Sequence, residues 1–181
     1  MDRPDELTTP VNESQKKGKK MQYEIERKWI LEKLPNLSKI KHNKYTIEQY
    51  YLDNGIRIRK SGNKYFITLK SKGTHSRAEW EQEIPKWVYN NLKEASKNTI
   101  SKTRYSVDMK NYKLDIDVYQ ANLANLITVE AEWIAQSSEV EQTIAQSKSF
   151  KLPSWIGKAK EVTEDNRYGN KQLAENGTPK D

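Results

Sequence analysis

Glu24-Ile25-Glu26-Arg27-Lys28-Trp29 decides the fold of this chain. Successive side chains of a β-strand point to opposite faces, so Glu24, Glu26 and Lys28 share one face while Ile25, Arg27 and Trp29 share the other. The same two-residue rhythm recurs downstream. Arg57 and Arg59 alternate with Ile56 and Ile58, Thr68, Lys70 and Lys72 with Ile67 and Leu69, and Glu79, Glu81 and Glu83 follow. Lys102 with Arg104, Asp115 with Asp117, and Glu130 with Glu132 complete the series. Each predicted strand therefore has one apolar face and one densely ionic face.

Turn signals such as Asn54-Gly55, Gly62-Asn63 and Lys72-Gly73 separate eight predicted strands. They run Gln22 to Ile30, Lys44 to Leu52, Ile56 to Ser61, Lys64 to Ser71, Arg77 to Ile84, Ile100 to Val107, Lys113 to Tyr119 and Ile127 to Trp133. Helices are expected at Leu31 to Ile40, at Pro85 to Ser96 with Pro85 in a permitted first turn, and at Ser137 to Ser147 with Ser138 as cap and Glu141 three residues on. Many short strands with few helices give a mainly β fold, a closed barrel or a sandwich. Met1 to Lys20 lacks apolar periodicity and reads as a disordered tail. The folded domain is expected over 21–176, with a loose end at 177–181.

A chain of 181 residues is one domain's worth. Lys plus Arg number 32 against 25 Asp plus Glu, a net +7 that favours an anionic partner. The absence of cysteine excludes a disulfide framework, a thiolate metal site and a cysteine nucleophile. The first residues do not read as a secretory signal, and no apolar run reaches the roughly 20 residues that span a bilayer. A cytoplasmic protein with no membrane partner is expected. His42 and His75 fall in predicted loops, and no glycine-rich phosphate loop is present.

Acids gather on some strands and bases on others, whereas solubility alone would intersperse them. The plainer reading is an antiparallel sheet whose polar face meets water. The alternative is a barrel closed with the ionic face inward and the apolar face packed under helices, enclosing a wet tunnel with an acidic and a basic sector. Carboxylate oxygens without cysteine point to a hard ion, Mg²⁺ or Mn²⁺. Arg57, Arg59, Lys70, Lys72, Lys102 and Arg104 supply more positive charge than one phosphate ester requires and suit a tri- or polyphosphate.

Glu24-Ile25-Glu26-Arg27-Lys28 also resembles the ExExK motif of the CYTH superfamily, the triphosphate tunnel metalloenzymes. Gln49-Tyr50-Tyr51-Leu52, Arg57-Ile58-Arg59, Thr68-Leu69-Lys70-Ser71-Lys72, Arg77-Ala78-Glu79-Trp80-Glu81, Lys102-Thr103-Arg104-Tyr105, Leu114-Asp115-Ile116-Asp117 and Val129-Glu130-Ala131-Glu132 resemble its successive strands in order. Glu161-Val162-Thr163-Glu164-Asp165 with Arg167-Tyr168 resembles its C-terminal element. The resemblance implies a closed eight-stranded antiparallel β-tunnel with a few helices outside, binding a small-molecule triphosphate and one or two divalent ions. It is nearest to the short bacterial tripolyphosphatases.

With that resemblance, Glu24, Glu26, Glu130 and Glu132 become the expected metal ligands. Arg57, Arg59, Lys70, Lys72, Arg77, Lys102 and Arg104 become the expected phosphate contacts. Glu79, Glu81, Asp115 and Asp117 are expected to orient these bases, with ligation of a second ion as the alternative, and Lys28 and Tyr51 to position or activate water. Burial beside other cations would lower the Lys28 pKa toward a general-base range, and a phosphate contact is the equal alternative. Thiamine or nucleoside triphosphatases and class IV adenylyl cyclases share the implied fold. A polyphosphate- or RNA-binding module is the non-enzymatic rival, and the carboxylates on the binding face disfavour nucleic acid.

Overall fold

The computed structural model describes residues 22–71 and 76–180, without the side chains of residues 22, 54, 76 and 77. The expected tail Met1 to Lys20, Lys72, His75 and the Arg77 side chain lie outside the described residues. All eight predicted strands form, each within two residues of its expected bounds: β1 (Gln22–Leu31), β2 (Asn43–Tyr51), β3 (Ile56–Ser61), β4 (Lys64–Lys70), β5 (Ser76–Glu83), β6 (Asn98–Asp108), β7 (Lys113–Tyr119) and β8 (Ile127–Ala135). They pair antiparallel in the order β5-β4-β3-β2-β6-β7-β8-β1, and β1 pairs with β5 to close the barrel. Closure uses only Gln22 to Ile25 of the β1 edge. Farther along that edge, Trp29 to Leu31 pair with a short outer strand, β9 (Ala159–Glu161).

Register decides which charges meet, because residues directly opposite in an antiparallel pair project to the same side. Glu26 lies across from Glu132 and Lys28 across from Glu130. On the next strand, Lys113 lies across from Glu132 and Asp115 across from Glu130. Asp117 lies across from Arg104. At the β3–β4 hairpin Ser61 pairs with Lys64, so the turn is only Gly62-Asn63, and Gly62 supplies the positive φ of 56° that it needs.

The opposite faces build the main core outside the barrel. Ile25, Trp29, Leu114, Ile116, Val129, Ala131 and Trp133 are buried there, beneath Phe150, Ile156 and α2 (Val140–Ser149). The Phe150 ring packs on Trp133 at 5.1 Å and on Tyr112 at 4.9 Å between centroids. Removing this aliphatic and aromatic surface from water, at roughly 25 cal/mol per Å², is what chiefly holds the fold together. On another side α1 (Lys86–Glu94) starts after Pro85 and buries Tyr89 between Tyr50 and Tyr65. A second apolar cluster of Ile100, Tyr119, Leu123, Leu126, Val162, Tyr168 and Leu173 covers one end of the barrel, with α3 (Asn170–Asn176) packed into it. No helix among the described residues is long and apolar enough to cross a membrane.

Two expectations are corrected, and two aromatic residues lie elsewhere than under the helices. Leu31 ends β1, and residues 32–42 form no helix. Leu34 precedes Pro35, which disfavours the helical region for Leu34, and the Asn36 side chain takes the Ser38 N–H at 3.0 Å in a tight local turn. The turn before α2 is fixed by Glu139, which accepts the Gln136 N–H at 3.1 Å, rather than by Ser138 and Glu141. Trp80 does not pack under a helix and is 51% exposed on the outside. Tyr119 faces inward, where its hydroxyl donates to Asn170 Oδ1 at 2.6 Å and its ring lies 5.2 Å from the Lys102 ammonium.

Candidate active site

The ionic faces of all eight strands enclose one cavity of about 410 Å³. Its wall includes Glu24, Glu26, Lys28, Tyr51, Arg57, Arg59, Lys70, Glu79, Glu81, Arg104, Glu130 and Glu132. Period-two alternation alone brings these side chains together, since each strand contributes between one and three inward positions to the wall. The C-terminal stretch from Val162 to Gln172 adds polar groups from Thr163, Asp165, Asn166 and Asn170. That stretch is tied to β1, because the Val162 N–H donates to the Lys28 carbonyl at 2.8 Å and the Lys28 N–H to Thr163 Oγ1 at 3.0 Å.

The charges fall into two networks. In the first, Arg104 directs Nε and Nη2 to the two oxygens of Asp117 at 2.7 and 2.6 Å, and reaches Asp115 at 2.6 Å and Glu130 at 2.9 Å. Lys102 donates to Asp117 at 2.6 Å and is fully buried, while Ser106 donates to Asp115. Lys28 pairs with Glu130 at 2.8 Å. In the second network, Arg59 meets Glu81 at 2.9 Å, Arg57 meets Thr68 at 3.1 Å, and Lys70 bridges Glu24 and Glu79. Here donors remain unused: among the described residues Arg57 Nε, Arg59 Nε and the Tyr51 hydroxyl are buried without a hydrogen-bond partner. Buried donors of this kind cost about 1–3 kcal/mol each unless something accepts from them.

Electrostatics separates the groups by state. Burial works most strongly against the Lys28 ammonium, but the charges of Glu130, Tyr119 and Glu26 together outweigh it and raise the Lys28 pKa above that of an ordinary lysine. The expected lowering toward a base is therefore reversed, and Lys28 is a fixed cation. Tyr51 is pushed up to about 12 by burial, against the pull of Arg57 and Lys28, so its phenol stays protonated as a donor. Burial opposes ionisation of Glu130 as well, but Lys28 and Arg104 hold its pKa well below the usual carboxylate range. Burial lowers Lys102 to about 8, and Asp117 does not restore it because its charge is shared with Arg104.

Glu132 is the exception among the acids: burial and then the Glu24 charge raise its pKa to about 7. Crowded carboxylates of this kind call for a cation, and their all-oxygen chemistry fits a hard divalent ion. Among the described residues no three acidic or histidine groups converge into a ready-made metal cage. Basic side chains stand among the acids, Lys28 on Glu130, Lys70 on Glu24 and Lys113 on Glu132. The donor set fits the ion, and these pairs must loosen to receive it.

Residues 22–162, most of the chain, match the CYTH domain. The chain belongs to the CYTH family. It is 34% identical to the inorganic triphosphatase of Nitrosomonas europaea over 158 residues, spanning 83% of this chain and 96% of that protein. The crystal structure of the inorganic triphosphatase NE1496 is similar to it with a TM-score of 0.57 and 32% identity, over 83% of this chain and 93% of that one. The PH1012 protein of Pyrococcus horikoshii OT3 shares the fold, with a TM-score of 0.52 at 19% identity over 74% and 90% of the two chains.

Most residues that the sequence assigned to a CYTH-type site do line the cavity. Lys102, Asp115 and Asp117 do not: they are buried behind the wall with at most 1% of their side chains exposed. The sequence assigned no site role to Gln49, Thr68, Lys113 and Lys171, nor to Thr163, Asp165, Asn166 and Asn170, all of which line the cavity. Lys113 lies two positions before Asp115 on the same face of β7, so the alternation already present in Asp115 and Asp117 could have found it. Lys171 carries no such signal, because it comes from a short helix placed by tertiary contacts.

Proposed function

We propose that this chain is a divalent-metal-dependent hydrolase that cleaves inorganic tripolyphosphate to pyrophosphate and phosphate. The observation that carries the reading is the coexistence, in one enclosed cavity, of unpartnered buried donors on Arg57, Arg59 and Tyr51 with the carboxylates Glu24, Glu26, Glu130 and Glu132. The donors call for a compact anion with many oxygens, and the carboxylates for the cation that accompanies it. The similarity to a protein named inorganic triphosphatase supports the same substrate class.

In this reading Glu24, Glu26, Glu130 and Glu132 hold Mg²⁺ or Mn²⁺, which when bound neutralises phosphate charge and lowers the pKa of a coordinated water. Arg57 and Arg59 turn Nε and their remaining N–H groups to the phosphate oxygens, with Glu81 fixing the guanidinium planes. The ammonium groups of Lys28 and Lys70 and the guanidinium of Arg104 face the chain from other strands. Together these cations stabilise the charge that moves onto the leaving pyrophosphate, the main contribution a protein makes to phosphoryl transfer. Tyr51 donates its protonated hydroxyl to a phosphate oxygen or to water. Attack forms a bond from water oxygen to the terminal phosphorus and breaks the anhydride bond, and the water proton leaves with the products.

Lys72 and the Arg77 side chain remain proposed phosphate contacts from their sequence positions alone. Lys102, Asp115 and Asp117 act in this reading by orienting Arg104. The proposal keeps the cytoplasmic location expected from the sequence. Phosphate release from tripolyphosphate, ATP and thiamine triphosphate, each with Mg²⁺, Mn²⁺ or chelator, tests it. Metal-dependent release from tripolyphosphate far above the other two is the expected result. Turnover of ATP to cyclic AMP, or no release from any of the three, would overturn it.

A further inference from the structure

Lys113 stands at the start of β7, at the acidic side of the cavity, and belongs to neither the phosphate contacts nor the groups that orient them. Its ammonium sits 3.2 Å from Asp115 Oδ2 and 3.3 Å from Glu132 Oε2. Register sets this, since Lys113 is directly across from Glu132, and Glu132 is directly across from Glu26. Among the described residues Lys113 is the one basic group within ion-pair distance of Glu132. Asp115 does not depend on it, because Arg104 and Ser106 already engage both of its oxygens. The Lys113 side chain is 37% exposed, whereas Asp115 is buried, so the lysine can swing away and the acids cannot follow.

We propose that Lys113 is a built-in competitor of the divalent ion: it neutralises Glu132 until the ion arrives and is displaced into the cavity when it binds. The inference rests on the metal-binding part of the function proposed above. A tethered ammonium and a divalent ion bid for the same carboxylate oxygens, so the free energy of breaking the ion pair is subtracted from that of binding the ion. Lys113 thereby sets how tightly the cavity holds metal in the absence of substrate. Once displaced, its ammonium is no longer paired with Glu132 and stands as an unpaired cation in the cavity that receives the phosphates. Lys113 is a positioning residue, acting through Glu132.

The test is metal binding without substrate, read by Mn²⁺ titration with electron paramagnetic resonance on the full chain. Lys113→Met is expected to bind Mn²⁺ about tenfold more tightly than the parent protein, while Lys113→Arg, which keeps the charge, restores parent-like or weaker binding. A structural role alone would loosen metal binding in Lys113→Met, and equal or weaker binding in that variant overturns the inference. A second reading uses the nitrogen-15 resonances of the lysine ammonium groups: the resonance present in the parent protein and missing from Lys113→Met should change when Mg²⁺ alone is added to the parent. No change at metal saturation overturns the displacement. If the parent protein binds no Mn²⁺ at all, the metal-dependent function itself fails together with this inference. If the parent binds Mn²⁺ and Lys113→Met binds it no better, only the inference fails.

Discussion

The two charge networks use the same residue types at the same strand spacing and reach opposite states. Around Asp117 every partner is engaged: Lys102 and Arg104 reach its oxygens at 2.6 and 2.7 Å and the group is sealed from water. Around Arg57 and Arg59 the acids are 22–25% exposed, the contacts run from 2.9 to 3.8 Å, and two guanidinium nitrogens have no partner among the described residues. A closed set of charges fixes the wall, and an open set leaves capacity for a ligand. The difference teaches that ionic density alone does not mark an active site. The unspent hydrogen-bonding capacity does.

Asp117→Asn removes one charge from a buried cluster and strands Lys102, so a loss of about 3–5 kcal/mol of stability is expected, read by urea unfolding. If it unfolds no more easily than the parent, the closed network is not what holds the wall. Arg59→Ala in the open network should do the reverse. Its unfolding free energy should change by about 1 kcal/mol or less, while kcat/KM for tripolyphosphate falls about 10²- to 10³-fold. Comparable damage to stability in the two variants would erase the distinction.

The smallest expected effect is one of pH. The buried Lys102 titrates near 8 in the folded protein and near 10.5 when unfolded, so it gives up its proton on folding between these values. Its unfavourable contribution is fully present below pH 8, and stability rises as pH goes from 8 to 10.5. Measured as the difference between the parent protein and Lys102→Met, this gain should be on the order of 1–3 kcal/mol. A flat difference across that window would mean that Asp117 keeps Lys102 charged throughout.

The barrel was legible because alternation is enforced by backbone geometry: a residue such as Glu26 faces the inside whatever its partners are. Register was not legible, and register decided that Glu132 would meet Lys113 and that Lys102 would sink behind the wall. The absence of a helix after β1 was readable in Leu34-Pro35, a signal that the apolar spacing of Leu31, Leu34 and Leu37 obscured. By contrast β9 and α3 are too short to show a period. They exist because Val162, Tyr168 and Leu173 find an apolar cluster at the end of the barrel.

One edge of β1 is divided between β5 and β9, and its other edge belongs to β8. β1, made before the other described strands, therefore waits for partners made late, Glu130 and Glu161 among them. Such non-local pairing is slow, and an unpaired strand is an invitation to aggregate with a neighbouring chain. Alternating Glu24, Glu26 and Lys28 makes that nascent edge a poor template for another strand, as charges on exposed edges do in finished sheets. The residues that build the cavity thus also guard the polypeptide on the ribosome before any cavity exists.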